Sequence, residues 1–179
     1  MAKRKDNILF YIIIVLAAIS IGLSVFTMSL LAKTNTETVA QDVEKSSPWT
    51  PPDIYVKLDS IKVEGSSVIV TKDCKSISAQ TTPERALGIF NALNNKISER
   101  PDVYESAASV LQTFGIKFDA VLVYRYEGET FFADSYFRKG NDILQLDMKP
   151  SDAMAIAIRT GAPIYYNKTL FSELGHKVC

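Results

Sequence analysis

The residue types best suited to chemistry lie in one stretch, DMKPSDAMAIAIRTGAP, at residues 147–163. It opens with two carboxylates, Asp147 and Asp152, and closes with one cation, Arg159. Carboxylate oxygens can hold a divalent cation, and the free amides at the start of a helix can hold an anion. The pattern therefore favours either a site for such a ligand or a closed structural network of ion pairs.

The element that must position these side chains is a helix. Ser151 is a candidate N-cap, and Gly161 can adopt the left-handed conformation that closes the helix. Asp152 in the first turn and Arg159 in the last turn both complement the helix dipole. They lie about 10 Å apart along the helix axis, so they do not pair with each other. The apolar middle predicts that the helix is almost completely surrounded by the rest of the domain.

Strands and helices alternate in blocks before this helix. Period-two alternation predicts strands at 54–63 and 67–72. Thr82, followed by proline and glutamate, predicts the start of one helix. Asp102 is the candidate cap of a second helix, which Gly115 ends.

The remainder of the chain is rich in strands. Residues 117–148 are typical of three strands joined by tight turns, which make an antiparallel meander. A short strand, PIYY, and a final helical segment, TLFSEL, follow the helix that contains Asp152. Segregated blocks of strands and helices predict an α+β domain at 54–175, with a mixed, largely antiparallel sheet and packed helices. Residues 176–179 are expected to be a C-terminal tail.

The N-terminal part has the properties of a membrane anchor. Residues 8–32 are 25 consecutive residues without a charge, and a helix of that length exceeds the ~30 Å hydrocarbon core of a bilayer. Residues 1–7 form a basic tip, which predicts a cytoplasmic N-terminus and a folded domain outside the cytoplasm. Residues 33–53 mix threonine, serine, proline and charge, as a linker does. The sequence thus predicts a single-pass membrane protein with one N-terminal transmembrane helix.

Composition excludes some classes of function. The chain has 20 basic and 20 acidic residues, so its totals reveal no basic surface for nucleic acid. It contains no Gly-x-Ser-x-Gly motif, and its one histidine, His176, lies near the C-terminus, which excludes a serine or cysteine hydrolase. A disulfide between Cys74 and Cys179 would close a very long loop. Unpaired cysteines are the more ordinary arrangement, and the sequence leaves both arrangements open.

Three segments together resemble the bifunctional nuclease (BFN) domain family. They are LDMKPSDAMAIAIRTGAPIY, TPERAL and RPDVYESAASVLQTFG, and the resemblance covers roughly residues 54–175. It implies a mixed α/β domain, self-association into a homo-oligomer, and nuclease activity toward DNA and RNA in some members. The residues that match the family motif are Asp147, Ser151, Asp152 and Arg159.

This chain departs from the family pattern in two places. Tyr104 and Glu105 stand where many relatives have histidine and aspartate, and Lys149 stands where they usually have arginine. Since the reference pKa of tyrosine is about 10, Tyr104 is a poor acid or base near neutral pH.

The first functional hypothesis is a membrane-anchored nuclease that hydrolyses phosphodiester bonds. Its catalytic residues would be Asp147, Asp152 and Arg159, and Lys149, Ser151 and Arg100 would bind the substrate. Mg²⁺ or Mn²⁺ would be held by Asp147 and Asp152, with Glu105 or Asp134 as a further ligand. The alternative is a non-enzymatic module on the same fold that binds a ligand or a protein outside the cytoplasm, with the charged residues serving as scaffold. Aromatic residues of the meander would support such a surface, although alternation sends about half of them into the core: Tyr124, Tyr126, Phe131, Phe132, Tyr136 and Phe137. A stacking platform for single-stranded nucleic acid is the less favoured use of these rings, because no basic residues are interleaved with them.

Overall fold

In the computed structural model, residues 49–179 are described. The predicted basic tip at 1–7, the membrane helix at 8–32 and most of the linker at 33–53 lie outside the described residues. Within the described part, no helix has the length and apolar character needed to cross a membrane.

Nine strands lie within the described residues and form two sheets. In chain order they are β1 Tyr55–Lys57, β2 Ser60–Glu64, β3 Ser67–Lys72, β4 Lys75–Gln80, β5 Lys117–Glu127, β6 Thr130–Lys139, β7 Asp142–Met148, β8 Ile164–Asn167 and β9 His176–Lys177. The larger sheet has the order β1-β8-β5-β6-β7, and the smaller has the order β2-β3-β4-β9. The predicted meander is β5-β6-β7, and one pair, β5 with β8, is parallel. The fold is mixed α+β with largely antiparallel sheets, as predicted.

Four helices are found in the same part of the chain: α1 Pro83–Leu93, α2 Val103–Thr113, α3 Pro150–Thr160 and α4 Lys168–Leu174. The predicted caps of α1 and α2 are present. The Thr82 hydroxyl accepts from the N–H of Arg85, and Asp102 forms a capping box with Glu105. Local side-chain bonds therefore fix where these two helices start.

Helix α3 is the central helix and contacts α1, α2 and strand β5. Its alanines at 153, 155 and 157 are fully buried, because small side chains allow close approach. Gly161 closes it in the left-handed conformation, as predicted. The predicted N-cap was wrong: the cap is Lys149, proline occupies the first helical position, and Ser151 lies inside the first turn.

The C-terminus is part of the fold. Strand β9 pairs with β4, and Cys74 forms a disulfide with Cys179, whose Cα atoms are 5.3 Å apart. The less ordinary of the two cysteine arrangements is therefore the one present, and the predicted C-terminal tail at 176–179 begins with strand β9. At the other end, the ring of Trp49 lies 4.9 Å from that of Tyr136, so packing begins before the predicted boundary at residue 54.

Candidate functional site

A cavity of about 530 Å³ opens beside the start of α3. Two cationic side chains line it, Arg85 from α1 and Lys149 from the N-cap of α3, together with Ser151. Tyr126 and Phe131, from the paired ends of β5 and β6, form another part of its wall. Glu129, from the turn of the same hairpin, also lines it. The cavity thus combines two cations, one carboxylate, the start of a helix and aromatic surface.

The start of α3 has no side-chain cap. Its first intrahelical bond runs from the N–H of Ala153 to the carbonyl of Lys149, at 3.0 Å. The amides of Ser151 and Asp152 precede that bond and carry the positive end of the helix dipole. An anion placed here would meet these amides in addition to Arg85 and Lys149.

Asp152 lies where three helices meet; it does not line the cavity itself, but it is paired with Arg85, which does. Its Oδ1 accepts a hydrogen bond from the Tyr104 hydroxyl on α2 at 2.7 Å and pairs with Nε of Arg85 on α1 at 3.2 Å. Both contacts fall on Oδ1, and no hydrogen bond to Oδ2 is found within residues 49–179. About a quarter of the side chain is exposed, at 28%. One carboxylate oxygen is therefore fixed by protein, and the other is available to a ligand.

Tyr104 acts as a hydrogen-bond donor in this arrangement. Burial raises the pKa of its hydroxyl well above the ordinary value, and the hydrogen bond to Asp152 raises it further. The hydroxyl therefore stays protonated across the physiological range and orients the Asp152 carboxylate. The sequence marked Tyr104 as a poor acid or base, and the structure gives it a positioning contact instead.

Asp147 lies elsewhere. It stands directly opposite Asp134 on the neighbouring strand, and the Asp134 Oδ2 accepts a hydrogen bond from Gln145 at 2.8 Å. The strand neighbours of Asp134, Ala133 and Ser135, are fully buried, so alternation directs Asp134 and Asp147 away from the helices. Asp152 belongs to a helix on the other side of the sheet. The structure therefore does not bring Asp147 and Asp152 together.

The surroundings of Asp134 on that face raise the pKa of its carboxyl group. Burial raises its pKa, and the charge of Asp147 adds to this effect, while the hydrogen bond from Gln145 opposes it. Two like charges directly opposite each other repel. This pair is a second place where carboxylates meet, separate from the cavity at α3.

Arg159 and Glu105 are committed to each other. Arg159 Nη2 lies 2.8 Å from Glu105 Oε1 and also donates to the carbonyl of Lys96 at 3.2 Å. Glu105 accepts from the backbone N–H groups of Ser98 and Asp102, at 3.1 and 3.0 Å. Both charged side chains are buried, at 9% and 6% exposure. This network joins the end of α3 to the start of α2 and leaves Glu105 engaged with protein, while the buried Nε of Arg159 has no hydrogen-bond partner within residues 49–179.

Arg159 lines a larger cavity, of about 840 Å³, at the far end of α3. Its charged lining residues form pairs with one another: Arg159 with Glu105, and Lys117 with Asp119 at 3.3 Å. The smaller cavity is the better candidate, because Lys149 and Arg85, the latter also paired with Asp152, both lie beside the uncapped amides.

Two predictions remain to be compared with the structure, the role of Arg100 and the proposed sets of metal ligands. Arg100 is exposed in the loop between α1 and α2 and does not line the cavity at α3. Residues 49–179 contain no group of three or more His, Cys, Asp or Glu side chains suited to a metal ion. The ligand sets that add Glu105 or Asp134 to Asp147 and Asp152 are therefore not assembled among these residues.

Sequence reasoning did not give Arg85 a role, but it did include Tyr126 and Phe131 among the aromatic residues of the meander that could form a binding surface. Arg85 was within reach, since it belongs to the TPERAL segment whose helix start was predicted. The sequence did not place the two aromatic residues beside α3, because that place depends on how the hairpin lies over the helices.

Comparisons with protein-family models and with known proteins both gave matches. The model of the bifunctional nuclease domain matches residues 71–178. Bifunctional nuclease 2 of Arabidopsis thaliana is 32% identical over 93 residues, which is 50% of this chain and 28% of that protein. Bifunctional nuclease 1 of Oryza sativa subsp. indica is 31% identical over 93 residues, with the same coverage. An uncharacterized protein of Mycobacterium tuberculosis is 28% identical over 76 residues, 42% of this chain and 44% of that protein. Each match spans less than half of the relative's own length.

Proposed function

Because this chain belongs to the bifunctional nuclease domain family, we propose that it hydrolyses phosphodiester bonds in DNA or RNA at the cavity beside α3. The observation that carries the proposal is the meeting of two cations and an uncapped helix start beside the half-free carboxylate of Asp152. Relatives that bear the name bifunctional nuclease support the reaction class.

The substrate phosphate would bind at the start of α3. Arg85 offers a planar guanidinium that can donate two hydrogen bonds to phosphate oxygens, and Lys149 adds a second positive charge. The free amides of Ser151 and Asp152 complete the set of donors. Since charge on the phosphate grows during attack, donors already held in place stabilise the transition state.

Asp152 is the residue that would hold Mg²⁺ or Mn²⁺. Tyr104 and Arg85 occupy its Oδ1 and leave Oδ2 for a ligand. One carboxylate is a sufficient protein ligand for Mg²⁺ when substrate phosphate oxygens and water complete the shell. When bound, such an ion polarises the phosphodiester and lowers the pKa of a coordinated water.

The test is a nuclease assay on the full-length protein with labelled DNA and RNA, with Mg²⁺, with Mn²⁺ and with EDTA. We expect cleavage that EDTA abolishes and that Asp152→Asn slows by about 10²-fold or more, because a Lewis-acid contact contributes several kcal/mol. Asp142→Asn, an exposed change of the same kind on β7, is the matched control and should leave the rate unchanged. Circular dichroism and thermal unfolding verify that each variant is folded.

Other outcomes would redirect the proposal. Loss of activity in Asp147→Asn, with Asp152→Asn still active, would move the site to the Asp134–Asp147 pair on the other face of the sheet. Absence of cleavage with either ion would contradict the nuclease and favour a module that binds a ligand or a protein.

We also propose that the domain is membrane-anchored through residues 8–32 and lies outside the cytoplasm. The disulfide between Cys74 and Cys179 supports this location, since such bonds persist in oxidising compartments. Self-association stays a prediction. We expect two copies of the chain to contact each other along strand β7, because this edge strand exposes Ile143, Leu144 and Leu146.

A further inference from the structure

The cavity beside α3 has two unlike walls. One wall carries Arg85, Lys149 and Ser151 at the start of the helix, and the other carries the rings of Tyr126 and Phe131 together with Glu129 of their turn. A phosphate needs the first wall, but it makes no use of an aromatic ring. The second wall therefore points to another part of the ligand.

The aromatic wall is held in place by packing against the core. The two rings belong to residues directly opposite each other on β5 and β6, with ring centroids 4.5 Å apart. Phe131 is backed by Tyr166, 6.2 Å away, whose side chain is fully buried. Tyr126 remains 39% exposed. One ring thus rests on the core and holds the other towards solvent.

The hairpin that carries these rings is short and well defined. Gly128 and Glu129 are its two turn residues, and both have positive φ angles, of 53° and 61°. Two-residue turns of this kind match the twist of the strands and fix their register. The register places Tyr126 against Phe131, so the aromatic surface is held at a fixed place beside the cations.

We propose that the cavity takes one unpaired nucleotide, with its phosphate at the start of α3 and its base stacked on Tyr126, so that single-stranded nucleic acid is bound in preference to duplex. This inference rests on the proposed nucleic-acid function and adds the substrate class. A volume of about 530 Å³ is within the ordinary range for small-ligand pockets.

Duplex substrates do not fit this arrangement. In a double helix each base is paired and stacked inside, so it cannot reach a wall beside its own phosphate without paying for unstacking. An unpaired base is free to stack on an aromatic ring. Stacking tolerates any base, so the preference concerns strandedness and not sequence.

A binding measurement tests the inference without cleavage. The full-length protein, in EDTA, is titrated into a single-stranded oligonucleotide that contains 2-aminopurine, whose fluorescence is quenched when it stacks. A hairpin duplex that contains the same base is the comparison. We expect quenching, and affinity for the single strand at least about tenfold above that for the duplex, from one base–aromatic stack.

Two variants and a matched control locate the effect. Tyr126→Leu should lose the quenching and about tenfold in affinity for the single strand, while Tyr126→Phe should keep both. Tyr124→Leu is the control on the same strand: Tyr124 packs near Phe132, 6.4 Å away, and does not line the cavity. Its quenching and affinity should match those of the wild type.

The inference and the proposed function fail in different ways. Equal affinity for single strand and duplex, or wild-type quenching by Tyr126→Leu, would overturn the inference even if the protein cleaves DNA. Selective binding that depends on Tyr126, without cleavage in any metal, would support the inference and contradict the nuclease. Absence of nucleic-acid binding would overturn both.

Discussion

Gly88 and Tyr104 show how a single residue shapes the site. A Cβ built at Gly88 would overlap the Cε2 and Cδ2 atoms of the Tyr104 ring. The ring therefore occupies the space that a side chain would fill. This close approach of α1 and α2 accompanies the hydrogen bond from the Tyr104 hydroxyl to Asp152.

We expect Gly88→Ala to lower the free energy of unfolding by about 1–3 kcal/mol, because the added methyl group displaces a packed ring. The loss should appear although alanine is the better helix former by about 1 kcal/mol. Urea denaturation measures the change. In a Tyr104→Leu background the same substitution should cost less, and an equal cost in both backgrounds would contradict the steric explanation.

At the scale of elements, the Arg159–Glu105 network joins α3, α2 and the loop between α1 and α2. Burial of Glu105 opposes its ionisation. The backbone N–H groups of Ser98 and Asp102 and the charge of Arg159 together outweigh that effect, and the pKa of Glu105 lies below its ordinary value of 4.5. A lowered carboxyl pKa means that the stabilisation is present above 4.5 and is lost as pH falls through the lower folded value.

We therefore expect Glu105→Gln to be less stable than the wild type at neutral pH, with a difference in Tm that shrinks as the pH falls below about 4.5. Thermal unfolding followed across the acid range measures this difference. Glu127→Gln is the matched control: its surface pair with Arg125 is 68% exposed on the glutamate side, so it should change Tm little at any pH. A difference for Glu105→Gln that is independent of pH would contradict the role of its charge.

Element starts were predictable where a local side chain fixes them. Thr82 and Asp102 mark α1 and α2 because each bonds to an amide three residues on. Helix α3 starts differently: Pro150 takes the first position and no side chain caps the amides, so Ser151 was a misleading signal. Asp147 and Asp152 are close in sequence, yet strand alternation and the helix turn separate them. Only the register of β6 and β7 reveals that Asp147 faces Asp134.

At the scale of the whole molecule, pairings between distant strands determine features of the fold that sequence patterns do not predict. The meander β5-β6-β7 was predictable because its turns are local. The parallel pairing of β8 with β5, the pairing of β1 with β8 and the pairing of β9 with β4 join residues far apart in the chain. The same pairing of β9 with β4 brings Cys179 to Cys74. Alternation in the sequence assigns residues to strands, but it does not say which strands become neighbours.

The disulfide gives this whole-molecule arrangement a direct test. It links residues 105 positions apart, and closing so long a loop restricts the unfolded chain more than the folded one. We expect the double variant Cys74→Ser/Cys179→Ser to lose about 2–4 kcal/mol in free energy of unfolding. Wild-type protein in dithiothreitol should unfold at the same urea concentration as this variant, and the variant itself should not respond to the reductant. Two titratable thiols in the native oxidised protein, or a wild-type midpoint unaffected by dithiothreitol, would show that the C-terminus is held by β9 alone.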